Sequence, residues 1–174
     1  YQILCSSIKR WAVGAPIQAP LQVLHELIQQ HGLKAHDVKK LVARMPKKQL
    51  PVVDNRDIPD ICVQHLLAVM LLDGIVNYQS AHDYARMKDP KVLAIRKRVE
   101  TVGDPELDDP LRRWRCAMEI TLMDGRKLTH RTMAAKGWFE NPITHAEVEE
   151  KALDLIVPVL GKRRAQALMA ALWN

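Results

Sequence analysis

The residues most able to do chemistry open the chain: Lys9-Arg10-Trp11 runs through a turn of small residues, Val13-Gly14-Ala15-Pro16, straight into an amphipathic stretch, Leu21 to Ile28. Two fixed cations at such a junction can hold a carboxylate or a phosphate, because both keep their charge at neutral pH. A second candidate is His65, within DICVQHLLAVMLLD from Asp60 to Asp73. At 3.6 residues per turn it shares a face with Ile61, Ala68, Val69 and Leu72. A lone imidazole there is either a hydrogen-bonded core residue or a proton carrier with a suitable unperturbed pKa. A third, His82 in Ser80-Ala81-His82-Asp83, falls between helices, where it can project into a cleft.

Other chemistries find no support. The histidines lack HxxxH or HExxH spacing and Cys5, Cys62 and Cys116 lack CxxC spacing, so no metal is expected and the thiols read as structural. Nucleophile-elbow, Walker A, GxGxxG and kinase signatures are absent. The run Arg112-Arg113-Trp114-Arg115 precedes an alternating segment, so its charges read as a solvated rim, with an anion contact as the sharper option.

The 174 residues, 48% of them hydrophobic, can bury a real core and are not those of a disordered chain. Leu66–Leu72, the longest apolar run, is too short to span a bilayer. With no signal-peptide pattern and unpaired thiols, a reducing cytoplasm is the expected home. The chain opens on Tyr1 and goes almost at once into ordered-looking sequence, so it reads as a fragment. Its net charge of +6, from 26 Lys and Arg against 20 Asp and Glu, suits a nucleic acid or a small polyanion such as a polycarboxylate. Aromatic content of 5% with a single Phe makes a poor base-stacking platform.

Periodicity supplies the elements on which these residues sit. Residues 20–30 read as a helix, with Pro20 near its start and Gly32 just beyond its end. Val38–Met45 reads as a strand closed by Pro46, residues 47–60 as a loop, and Asp60–Asp73 as a buried helix stopped by Gly74. Asp89-Pro90 starts a helix over Lys91–Arg98, and a short strand comes next near Val99–Val102. Cys116, Met118, Ile120 and Leu122 alternate on a strand, Asp124-Gly125 turns it, and Lys127, Thr129 and Arg131 lie on the return. Thr144-x-x-Glu147 is a capping box for a helix that Pro158 and Gly161 should break, and a last helix should turn Ala165, Leu168, Met169 and Leu172 inward. The order points to an α+β domain with helices on one face of a small, mostly antiparallel sheet and a C-terminal helical pair that packs elsewhere.

Taken in order, IKRWAVGAPIQAPL, VVDNRDIPDICVQHLLAVMLLDG, SAHDYARMKDPKVLAIRKRVE, ITLMDGRKLTHRT and ENPITHAEVEEKALDLI resemble the C-terminal half of the MmgE/PrpD family. The individual motifs are degenerate and their succession is specific. The resemblance implies an α+β lid over residues 1–140 and, over 141–174, helices that return to a helical N-terminal domain. It implies a homodimeric enzyme without metal or organic cofactor, acting on a small di- or tricarboxylate by moving a proton beside a carboxylate. Dehydration, decarboxylation or epimerisation would ensue. Neither a nucleic acid nor a membrane is implied as partner.

Lys9 matches the family's active-site lysine, with Arg10 assisting, and the small residues through Pro16 would let substrate approach the backbone. Many members carry a histidine where this chain has Gln18, which can hydrogen-bond a carboxylate but carries no proton. Relatives such as cis-aconitate decarboxylase have a tyrosine at the position of His65, and a histidine at that of His82. The resemblance thus implies His65 and Lys9 as catalytic, and Lys9, Arg10, Gln18 and His82 as substrate-binding. The alternative is a non-catalytic module that binds a carboxylate metabolite or mediates oligomerisation.

Overall fold

A computed structural model describes residues 6–111 and 114–173. Cys5, Arg112 and Arg113 lie outside them.

Helix α1 (Gln18–His31) comes after a single 3-10 turn, Ala15–Ile17, and ends at Gly32, whose φ of 61° suits a residue without a side chain. It buries Leu21, Leu24 and Leu27 against the sheet. Strand β1 (Val38–Pro46) is central, with Leu41, Ala43 and Met45 fully buried. Its neighbours are β2 (Val99–Asp104), parallel, and β3 (Cys116–Leu122), antiparallel. β4 (Lys127–Thr132) closes the order β2-β1-β3-β4. Two of the three pairings are antiparallel, as expected. The parallel one requires a crossover, which the segment between β1 and β2 provides.

That crossover holds two short helices, α2 (Leu50–Val53) and α4 (Tyr78–Ala81), and two longer ones, α3 (Val63–Asp73) and α5 (Pro90–Arg96). α1 and α3 cover one face of the sheet. Across the other face, Lys40 meets Glu100 at 2.6 Å and Lys127 meets Glu119 at 3.1 Å. Opposite charges on neighbouring strands are what a solvated sheet face accommodates.

Several expectations need correction. The 47–60 loop contains α2, and Pro59 opens a 3-10 turn, Pro59–Ile61, so the buried helix begins at Val63 rather than Asp60. Pro158 does not break its helix: α6 (His145–Leu160) runs through it and ends at Gly161. A proline there forfeits a single bond close to the end of the helix, where tertiary packing already supports the turn. In α7 (Lys162–Trp173), Ala165 and Met169 turn inward, but Leu168 and Leu172 stay 39% and 67% exposed, since α7 packs mainly on α6. Arg115 is not a solvated rim residue: it is buried and pairs with Asp109 at 2.7 Å. The Thr144 capping box forms, with its hydroxyl accepting from the Glu147 backbone and the Glu147 carboxylate accepting from the Thr144 backbone.

Candidate functional site

The Lys9–Val13 segment is stitched down at both ends. The Ile8 N–H donates to the Gly137 carbonyl at 2.9 Å, and the Gly14 N–H donates to the Asp60 carbonyl at 2.8 Å. Between them the buried amide of Gln18 makes a reciprocal pair with the Trp11 backbone, accepting its N–H at 3.2 Å and donating to its carbonyl at 3.0 Å. Gln18 therefore spends both ends of its amide on holding Trp11. Gly14 is packed against Ile61 and the Asp60 carbonyl at a φ of −51°, so the small turn serves close packing rather than an opening to the backbone.

With the backbone held, the cations gather. Exposed Lys9 bends back so that Nζ donates to the Val13 carbonyl at 2.9 Å. Lys151 on α6 reaches across and donates to the Lys9 carbonyl at 2.6 Å. Burial, with Lys9 close by, lowers the pKa of Lys151. Arg10 lies over the Trp11 ring, 4.9 Å from its centroid, and donates to Gln22 Oε1 and to His25 Nε2, each at 3.5 Å. Behind them Gln22 donates to Glu26, whose other oxygen meets His130 of β4 at 2.7 Å.

Arg10, Trp11 and Lys151 line a cavity of about 390 Å³ between α1 and α6, together with His25, Tyr78 and Asp154. Of the carboxylates on its α6 wall, Glu147 is engaged by Thr144 and Lys136, and Asp154 accepts the Tyr78 N–H at 2.9 Å. A larger hollow of about 460 Å³ opens over the uncovered sheet face, beside Arg44, Glu119 and Arg131. None of the residues singled out from the sequence lines it. Of the residues read from the sequence as catalytic or substrate-binding, Arg10 lines the cavity between α1 and α6, whereas Lys9, Gln18, His65 and His82 do not.

The two histidines fare differently. His82 donates from Nδ1 to the Tyr78 carbonyl at 2.8 Å, stacks on the Tyr78 ring at 4.3 Å and keeps Nε2 3.9 Å from the Asp60 carboxylate. It stands behind Tyr78 rather than projecting into a cleft. His65 has no exposed surface, and neither ring nitrogen has a partner. Burial first, then the positive Arg96 and Arg86, push its pKa down to about 4, so the ring is neutral at pH 7. The ring takes the core position, without the hydrogen bond that the core alternative expected, because α3 is covered on every side from Val63 to Met70.

Among the described residues no three or more His, Cys, Asp or Glu side chains are placed to hold a metal ion. Cys62 and Cys116 are buried free thiols, and burial pushes the Cys116 pKa far up. No helix in the described residues is long and apolar enough to cross a membrane.

His25, Gln22 and Lys151 were not expected from the sequence. For the first two a signal existed: Gln18, Gln22, His25 and Gln29 recur at helical spacing and form a polar stripe along α1 beside its leucine face. Lys151 had none, since it meets Lys9 from 142 positions away.

The cavity between α1 and α6 brings Arg10, His25 and Lys151 together with the carboxylates Glu147, Glu150 and Asp154, and likeness to known proteins says to which family such a domain belongs. The MmgE/PrpD C-terminal domain matches residues 11–174, and the chain belongs to that family. It is 28% identical over 151 residues to the 2-methylcitrate dehydratase-like protein oryR of Aspergillus oryzae, covering 78% of this chain and 30% of that protein. It is 27% identical over 139 residues to human cis-aconitate decarboxylase, covering 76% and 28%. It is 28% identical over 152 residues to 2-methylcitrate dehydratase of Cupriavidus necator, covering 81% and 30%. The chain spans less than a third of the length of these curated relatives.

Proposed function

We propose that the chain is the lid part of an MmgE/PrpD-type lyase acting on a small di- or tricarboxylate by proton transfer at a carbon beside a carboxylate. The observation that carries this is the meeting of Arg10, His25 and Lys151 in one cavity, with Lys9 beside it through the bond from Lys151 to its carbonyl. Removing that proton builds negative charge on an already anionic molecule, so fixed cations lower the barrier more than they favour the ground state.

In this assignment Lys9 must exchange its bond to the Val13 carbonyl for a substrate carboxylate, and Arg10 presents a guanidinium held flat on Trp11. Gln18 acts by holding Trp11, and His82 by backing Tyr78. His65, enclosed and neutral, stays behind the site, and the proton carrier comes from the part of the enzyme that the longer relatives possess and this chain does not span. Exposed apolar side chains on α6 and α7, Val159 and Leu172 among them, support a division at about residue 140 in which the closing helices pack on that other part.

In the full-length enzyme, Lys9→Ala should lower kcat/KM on the true carboxylate about a hundredfold or more while leaving the unfolding midpoint in place. Unchanged kcat/KM would overturn the assignment.

A further inference from the structure

Resting on that reading, we propose that His25 and Arg10 form a carboxylate-binding pair in the cavity between α1 and α6, in which the imidazole takes up a proton as the carboxylate docks.

A guanidinium can only donate, so the contact between Arg10 and His25 Nε2 makes that nitrogen the acceptor and puts the neutral ring's hydrogen on Nδ1. Nδ1 bonds to no other described group and is not among the enclosed, unpartnered atoms, so this N–H is a free donor on a residue that lines the cavity. The ring is half-buried and edge-on to Trp11, 6.3 Å between centroids, which fixes its direction. Arg10, from the anchored Lys9–Val13 segment, and His25, from helix α1, thus each offer a carboxylate a donor in a space large enough for a small di- or tricarboxylate.

The charges around His25 set its protonation. Burial and Arg10 lower its pKa, and Glu26 on its own helix and Glu150 on α6 oppose them. Lys151 lines the same cavity, and Glu147 and Asp154 there are already engaged. An incoming carboxylate offsets Arg10 and pairs with the ring, favouring the imidazolium. Protonation places a hydrogen on Nε2 and ends the bond from Arg10, which frees that guanidinium edge for the same carboxylate. Binding is then linked to uptake of one proton, and affinity rises as pH falls through the window between the bound and free pKa values.

The test is calorimetric titration of the full-length enzyme with citrate, cis-aconitate and malate near pH 6.5, the ring's unperturbed pKa, in Pipes and in Bis-Tris buffer. At least one of the three should bind with proton uptake approaching one per site and with affinity that climbs up to about tenfold per pH unit downward. His25→Gln keeps an acceptor for Arg10 but cannot titrate. It should abolish the uptake, flatten the pH dependence and weaken binding about tenfold, with an unchanged urea midpoint confirming the fold. If His25→Gln binds with undiminished uptake while Lys9→Ala still lowers turnover, the inference falls and the proposed function stands. If no carboxylate binds the wild type, both fall.

Discussion

The Lys9–Gln18 segment and the centre of α3 hold the two sets of residues with the strongest chemical signals, and the fold treats them in opposite ways. In the first, the backbone is anchored at Ile8, Trp11 and Gly14 by Gly137, Gln18 and Asp60, and the Arg10 side chain is left at a cavity. In the second, the imidazole of His65 is fully enclosed with both nitrogens unpaired. A cation can serve a site only when its backbone is fixed and its head is free. A polar ring enclosed without partners instead lowers stability and reaches nothing outside.

Unfastening the first region should do the most damage. Gly137 sits at a φ of 92°, and a Cβ there would lie 1.9 Å from the Ile8 carbonyl oxygen. Gly137→Ala should cost roughly 4 kcal/mol in urea unfolding, from backbone strain and lost anchorage together. A change under about 1 kcal/mol would mean that the Ile8 segment is not held there.

The second region is exposed by pH. His65 titrates near its ordinary 6.5 in the unfolded chain but only at about 4 when folded, so between those values the unfolded state binds more protons. Above pH 6.5 the ring is neutral in both states and this linkage costs nothing, but stability drains away as pH falls towards 4, by on the order of 3 kcal/mol. His65→Leu should remove that loss and raise stability at pH 7 by about 1 kcal/mol, measured by chemical denaturation across the window. An equally steep acid loss in the variant would assign it to other groups.

A milder change returns to the first region. Gln18→Leu keeps the volume but strips the Trp11 backbone of both partners, and should cost about 2 kcal/mol. It should lower kcat/KM through Trp11 and Arg10 rather than through a contact with substrate. A stability loss with kcat/KM untouched would separate the wall from the site.

Local rules were sufficient where a residue's partners lie nearby in the chain. The Thr144–Glu147 capping box, the Asp124-Gly125 hairpin and the Cys116–Leu122 alternation each depend on neighbours within a few positions, and each formed. The cationic mouth was half legible: Lys9 and Arg10 announced themselves, whereas Lys151 and His25 became members only through long-range contacts. Pro158 went astray because packing on α7 outweighs a local helix penalty, and Arg115 because it is buried and paired with Asp109, six positions earlier in the chain.

The order of the longer helices and the strands, the α+β class and, through the succession of its motifs, the family could all be read from the residues alone. These rest on short-range periodicity and turn chemistry that any fold of the chain must obey. Which polar groups work and which are shut away was settled by packing. Whether His65 meets a cavity or a wall depends on how α1 and the rest of the fold cover α3, and whether Arg10 meets a solvent shell or the imidazole of His25 depends on where the Lys9–Val13 segment is anchored against α1.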